Sequence, residues 1–310
     1  MSLDLVCPSD RSALVHEADG AWRCGTCGAR FPVVDGVVRF LGGADEFYEG
    51  RFLYTIKYAP ASERWWSAWP LWLMNSGYVW AVRRFVPEGA VVVELGCASG
   101  VAYFARRYQL VGLDLSHGSL RQVAGLYSAC LQADAMQPLP LPDGSADAII
   151  SSFFWEHIPP EHKPRVLEHC HRALAPGGKL VFLYDIDSQN PLYRNLRRRD
   201  PALFREVLIE REGHLGWQSA AENRAVFEQS GFRVLADLGR EKTPLINPAM
   251  YDKVLNWKGW TEPLARLGLR LARPPWFHLY NGGVRVLDAT LGRLLPLDWS
   301  RVVISVCEKR

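Results

Sequence analysis

From residue 90 onward the chain repeats one pattern, in which short apolar runs are separated by stretches of helical length: "AVVVELG", "YQLVGLDLS", "ACLQADA", "ADAIISS" and "GKLVFLYD". A strand that reads as a nearly continuous apolar run is buried on both faces, and this arises when helices cover both sides of a parallel sheet. The pattern predicts an α/β fold of that kind. In such a sheet ligands bind outside the carboxyl ends of the strands, near the switch in strand order. The polar residues ending these runs are therefore the site candidates: Glu94, Asp114, Asp134, and Ser151 with Ser152.

The chain has 310 residues, 48% hydrophobic and 22% charged, enough for one large domain and an accessory one. With 36 Lys and Arg against 33 Asp and Glu, the net charge of +3 is too small to require nucleic acid or an anionic membrane as partner. No uninterrupted apolar run of about 18 residues occurs, so no transmembrane span is predicted. Seven cysteines, without a basic stretch and apolar core at the start, predict reduced thiols and a cytoplasmic setting.

The first run ends in a carboxylate, Glu94, followed by the loop "GCASG". A buried carboxylate needs a partner, because desolvating an unpaired charge costs several kcal/mol. The loop lets a ligand approach backbone at Gly96 and Gly100, yet it is a poor dinucleotide fingerprint, since Ala98 and Val101 stand where the later glycines belong. Asp114 lies twenty residues after Glu94, where a carboxylate can accept from two ribose hydroxyls. Asp134 follows the third strand. With "LPLPDGSADAIISS", "EHI" and "HCHRALAPGGKLVF" in that order, residues 90–237 resemble class I S-adenosylmethionine-dependent methyltransferases of the ubiquinone-methylase-like branch (methyltransferase type 11 domain), with Ala98 in place of the motif's middle glycine.

The resemblance implies a Rossmann-like seven-stranded sheet with helices on both faces and S-adenosyl-L-methionine as cofactor. It carries cofactor contacts onto Glu94, Gly96, Cys97, Ala98, Gly100, Asp114, Leu115, Asp134, Ala135 and Ser151, with Glu94 accepting from loop amides and the methionine ammonium. Methyl transfer from a sulfonium is an in-line displacement, so the enzyme mainly aligns its reactants and excludes water. A hydroxyl acceptor also needs a base. His157, beside Glu156 after the fourth strand, and His214 in "GHLGWQS" are the candidates, with Phe153 and Trp155 as pocket walls. His162, His169 and His171 fall on a charged helical stretch and read as surface groups.

At the N-terminus, Cys24 and Cys27 form a C-x-x-C, and Cys7 sits in a C-P-x-Asp turn. These provide three zinc ligands, with Asp10 or His16 as the fourth. The segment, ending in "FPVVDGVVRF", resembles the small zinc ribbon found beside several methyltransferase domains, which implies a structural zinc. The chain then divides into a zinc-ribbon-like module (1–43), a helical cap or linker (44–88) with a helix near 74–85, and a methyltransferase domain (89–310) with helical insertions at 185–216 and 239–300. Arg197, Arg198 and Arg199 in the first insertion read as a solvated charge run. The second, carrying Trp257, Trp260, Trp276 and Phe277, reads as a lid, a homodimer surface or a membrane contact. The expected activity is methyl transfer to a small-molecule acceptor such as a natural product, sugar or lipid-linked intermediate. RNA base methylation and a non-catalytic scaffold are the alternatives.

Overall fold

The computed structural model describes residues 4–43, 47–49, 77–98, 100–256, 259–273 and 276–310, the side chains of His278, Asn281 and Arg285 excepted. Trp65, Trp66, Trp69, Trp72 and Trp257 lie outside these residues. The strands run in chain order β1 (Leu14–His16), β2 (Trp22–Cys24), β3 (Arg30–Phe31), β4 (Val33–Val34), β5 (Val37–Arg39), β6 (Val91–Leu95), β7 (Gln109–Asp114), β8 (Ala129–Gln132), β9 (Ala146–Ser152), β10 (Leu174–Asp185), β11 (Phe232–Arg240) and β12 (Val302–Lys309). The helices are α1 (77–85), α2 (Ala102–Ala105), α3 (His117–Val123), α4 (Lys163–Ala173), α5 (Pro191–Arg199), α6 (Pro201–Arg205), α7 (Ala220–Gln229), α8 (Tyr251–Val254), α9 (Glu262–Leu271) and α10 (Trp276–Ala289). No helix among the described residues is long and apolar enough to cross a membrane.

The central sheet has the order β11-β12-β10-β9-β6-β7-β8-β5-β4, with β6 to β10 parallel and β12 antiparallel to both its neighbours. The strand order reverses between β6 and β9, and loops diverge from their carboxyl ends there. Strand alternation splits the core. Val93, Leu95, Val111, Leu113 and Ile149 pack on one face, Val92, Leu110, Ala148, Ile150 and Val181 on the other.

The seven expected strands are present, and two more extend the sheet. Asp35 and Gly36, both at positive φ, turn β4 into β5. β5 then pairs in parallel with β8. Residues 1–43 are thus not a separate module: Leu5, Cys7, Leu14 and Cys24 share an apolar cluster with Val93 and Leu131. Arg11 also donates to the carbonyls of Leu139 and Leu141 at 2.6 and 2.8 Å. A boundary at residue 43 would cut through one core.

The two insertions form one helical cap. Tyr193, Leu196, Phe204 and Leu208 from the first pack with Ile246, Val254, Leu255 and Ala265 from the second. After the first insertion, Ser219 and Glu222 make a reciprocal capping box that starts α7. His169, expected at the surface, is buried on the inner face of α4, whereas His162 is exposed at its start.

Candidate active site

A cavity of about 550 Å³ opens at the carboxyl ends of β6, β7, β9 and β10 and runs under the helical cap. At its first end β6 delivers the glycine loop. Gly96, Ala98 and Gly100 all have positive φ, at 61°, 45° and 72°. Gly96 and Ala98 lie on the cavity wall, with Asp114 and Leu115 after β7 and Asp134 and Ala135 after β8. Asp114 is held by backbone: Oδ2 accepts from the Ala98 amide at 2.8 Å and Oδ1 from the Ser116 amide at 2.9 Å. Asp134 Oδ1 accepts from the Met136 amide at 2.8 Å.

Four expected contacts are placed elsewhere. Glu94 is buried off the wall, and its Oε2 accepts from the Tyr127 hydroxyl at 2.5 Å, while that hydroxyl accepts from the Val101 amide at 2.6 Å. Burial, and then the Glu94 charge, raise the Tyr127 pKa, so the phenol stays a donor. Glu94 thus reaches the loop through Tyr127. Gly100 serves packing, since a methyl there would lie 2.7 Å from both the Tyr127 hydroxyl and Val123. Cys97 is buried, and its neutral thiol form is favoured first by burial and then by the charges of Asp114 and Glu94. Ser151 is fully buried in β9.

The second end gathers the three acid–base candidates. Glu156, His157 and His214 all line the cavity, each with a ligand-type atom within 4.8 Å of the others. His157 Nδ1 lies 2.9 Å from the Gly213 carbonyl and so carries the proton, leaving Nε2 as the basic nitrogen. The His214 ring centroid is 5.4 Å from that of His157, and its Nε2 is 3.8 Å from Asp185. Burial holds the His214 pKa below the ordinary histidine value. Glu156 is pushed up to about 8, first by burial and then by the Asp185 charge, and its buried Oε2 has no partner among the described residues. Phe153 and Phe154 line this region. Trp155 does not: it is fully buried, stacked on Phe227 and bonded to Asn223. Phe153 sits at φ 56°, a strained conformation for an aromatic residue and of a kind that clusters at functional sites.

A methyltransferase domain model matches residues 93–182, the segment that supplies the cavity's first end and the strand switch. Residues 93–182 thus carry the sequence pattern of a methyltransferase domain. A Mycolicibacterium smegmatis protein classed as an S-adenosylmethionine-dependent methyltransferase is 29% identical over 157 residues, covering 49% of this chain and 55% of that protein. The malonyl-acyl-carrier-protein O-methyltransferase of Methylococcus capsulatus is 31% identical over 111 residues, covering 33% and 39%. The chain therefore spans about half the length, or less, of these curated relatives. The structure of phosphoethanolamine N-methyltransferase 2 from Haemonchus contortus with S-adenosyl-L-methionine aligns over 76% of this chain and 52% of its own, at TM-score 0.47 and 18% identity. That likeness is too low to add to the fold described above.

Several residues that shape the second end of the cavity escaped the sequence reading. Lys163, fully buried at the start of α4, donates to the Gly216 carbonyl at 2.7 Å and to Gln218 Oε1 and Asn223 Oδ1 at 2.8 Å. It staples the loop after β9 to the loop before α7, and so keeps His157 beside His214. Gly216 must be glycine there, because a methyl would lie 1.8 Å from the Ile158 carbonyl oxygen. Arg301, also buried, bonds Asp185 at 2.7 Å and Glu241 at 2.7 and 3.0 Å. Tyr48, Tyr193 and Trp217 complete the wall, with the Tyr193 hydroxyl and Trp217 Nε1 unbonded among the described residues. No spacing rule links these positions. Trp260 and Trp276 of the second insertion face solvent and do not line the cavity.

The cysteine group forms a second cluster. Cys7, Asp10, Cys24 and Cys27 lie with their ligand atoms within 4.8 Å of one another. Tetrahedral zinc with Zn–S of about 2.3 Å requires ligand–ligand edges of about 3.8 Å. Cys7 Sγ and Cys27 Sγ are 3.6 Å apart, and Cys24 Sγ is 3.3 Å from Asp10 Oδ2, so the donor set fits that ion. Asp10 is the fourth member. His16 packs edge-on against Trp22, outside the group. The Ser12 hydroxyl donates to Asp10 Oδ1 at 2.5 Å and orients it.

Proposed function

We propose that the protein transfers a methyl group from S-adenosyl-L-methionine to an uncharged small molecule with a hydroxyl or amine nucleophile. The observation carrying this reading is a single cavity with two backbone-held carboxylates at one end and Glu156, His157 and His214 at the other. S-adenosylmethionine supplies an activated methyl on a sulfonium. Asp114 accepts from the ribose hydroxyls, Asp134 and Ala135 take the adenine edge, and the Gly96 backbone lies against the methionine portion. His157 Nε2 takes the acceptor's proton, and His214, kept neutral by burial, stands beside it. An uncharged acceptor is favoured because Lys253 and Arg301, the Lys and Arg of the wall among the described residues, are already paired, with Glu212 at 2.5 Å and with Asp185 and Glu241 respectively. A phosphate or carboxylate would displace one of these partners.

Calorimetry with S-adenosylhomocysteine tests the cofactor half. The native protein should bind with micromolar-range affinity, and Asp114→Ala should weaken binding by roughly 2–4 kcal/mol by removing charge-assisted hydrogen bonds. Tight binding of NAD with none of S-adenosylhomocysteine would overturn the reading.

We further propose that Cys7, Asp10, Cys24 and Cys27 hold one structural zinc, which ties the N-terminal strands to the sheet. Elemental analysis after expression with added zinc should find one ion per chain, and a chelator should lower the unfolding temperature, since structural zinc contributes folding free energy directly. A metal-free protein of unchanged thermal stability would sink the idea.

A further inference from the structure

The cap turns its inner side to the acceptor cavity and its outer side to solvent, and the outer side is unusually apolar. Helix α9 has three sectors. Thr261, Ala265 and Gly268 are buried; a methyl at Gly268 would lie 2.4 Å from the Tyr251 ring. Arg266 and Arg270 form an exposed charged sector. Leu264 and Leu267 form an exposed apolar one, 46% and 49% accessible. On α10, Trp276, Leu279, Gly283 and Val286 are exposed at spacings of one helical turn, and Leu291 and Leu294, after the helix, are exposed too. Trp260, 70% accessible, precedes α9. A run of exposed large apolar side chains on adjacent helices marks a surface that is covered in use.

Charge identifies the cover. Residues 257–294 contain Lys258, Arg266, Arg270, Arg273, Arg285 and Arg293 against Glu262 and Asp288, six basic to two acidic, a net +4 in a chain of net +3. The rest of the protein is therefore close to neutral. Asp288 is buried and accepts from the amides of Glu241 and Lys242, so it does not offset the exposed Arg266, Arg270, Arg273 and Arg293. Apolar side chains flanked by arginines, with tryptophans among them, match the boundary between acyl chains and anionic headgroups. A second copy of the chain would bring the same arginines against each other. We infer that the outer face of α9 and α10 docks on an anionic lipid bilayer.

The docking face is joined to the acceptor end of the cavity. Met250 and Lys253 line that end, and Tyr251 between them packs on Gly268 of α9 and lies 2.6 Å, hydroxyl to hydroxyl, from Tyr280 of α10. Given the proposed methyl transfer, a bilayer here places the cavity beside lipid and favours an amphipathic acceptor.

Vesicle sedimentation with the full chain tests the docking. Phosphatidylcholine vesicles with about one third phosphatidylglycerol should bind the protein at least about tenfold more tightly than pure phosphatidylcholine, and less tightly as salt rises. The doubly substituted Leu264→Glu/Leu279→Glu protein, altered only at exposed positions, should lose at least about tenfold in vesicle affinity while binding S-adenosylhomocysteine as the native chain does. The second readout reports folding and the cofactor site independently, so failure of the docking and failure of the proposed activity are distinguishable. Vesicle binding unchanged by the substitutions overturns the inference. So does native protein that ignores both vesicle types and forms a dimer that the substitutions dissociate, which would assign the face to a second copy.

Discussion

The two ends of the cavity are built differently. At the cofactor end the decisive contacts are short in sequence: Asp114 accepts from Ala98 and Ser116, sixteen and two residues away, and Asp134 from Met136, two away. Backbone amides do the holding, so the side chains there need only be carboxylates at strand ends. At the acceptor end side chains hold side chains across long stretches of chain. Arg301 reaches Asp185 over 116 residues and Glu241 over 60, and Lys163 reaches Gly216, Gln218 and Asn223 over 53 to 60. A locally built site tolerates change in the rest of the fold. A clamped one does not.

The largest expected effect breaks this contrast most directly. Arg301→Met leaves Asp185 and Glu241 buried without their shared cation, and removing one partner of a buried ionic group costs about 3–5 kcal/mol. Denaturant unfolding should show that loss. Under conditions where the variant remains folded, S-adenosylhomocysteine affinity should stay within about threefold of native, because the hydrogen bonds and ion pairs of Arg301 among the described residues go to Asp185 and Glu241, away from Asp114 and Asp134. A parallel collapse of cofactor affinity would show that the two ends are one cooperative unit.

The same contrast decides what could be read from the sequence. The strands, the positions of Asp114 and Asp134 at their ends and the glycine loop were legible because each depends on residues within one β–loop–α unit. Glu94 was a partial reading: a partner was required, but Tyr127 lies 33 residues on, and nothing in its local pattern marks it as that partner. At the acceptor end His157 and His214 were legible as chemistry. The staple at Lys163, the clamp at Arg301 and the glycine forced at Gly216 were not, because each answers to a chain segment brought near only by the completed fold. Trp155 misled for a related reason. A tryptophan after a strand can face a pocket or the core, and the choice was made by Asn223 and Phe227 on α7.

A smaller effect sharpens the comparison at the acceptor end. Glu156 titrates near 8 in the fold, far above the ordinary carboxylate, because it is buried beside Asp185. Between the ordinary value and 8 the native protein keeps a proton that the unfolded chain has released, so this group's contribution to stability falls as pH rises through that window. Lys163, drawn down to about 7 by burial, has the opposite slope only above that value, and His169, His171 and His214, whose pKa values burial lowers, are present in both proteins, so the difference between variant and native from pH 5 to 7 reports Glu156. Glu156→Gln carries no such titration. Its stability relative to native should therefore rise by about 2 kcal/mol between pH 5 and 7, measured by urea unfolding at both. A constant difference would mean that Glu156 ionises normally and that the acceptor end is better hydrated than its burial implies.

The smallest effect lies at the cofactor end, where the strain is local. Ala98 occupies the loop's middle position at φ 45°, in the left-handed region that glycine adopts freely and that costs a residue with a Cβ about 1–2 kcal/mol. Its amide also donates to Asp114 Oδ2 at 2.8 Å, so the strained turn is the one that orients the proposed ribose-binding carboxylate. Ala98→Gly relieves the strain but adds freedom to the unfolded chain, and the balance favours the variant by about 0.5–1 kcal/mol. The unfolding midpoint should rise accordingly. The same freedom loosens the loop before a ligand binds, so S-adenosylhomocysteine affinity should fall by up to about threefold, mainly as a less favourable binding entropy in calorimetry. A variant less stable than native would mean that the Ala98 methyl, which forms part of the cavity wall, contributes more by packing than its backbone conformation costs.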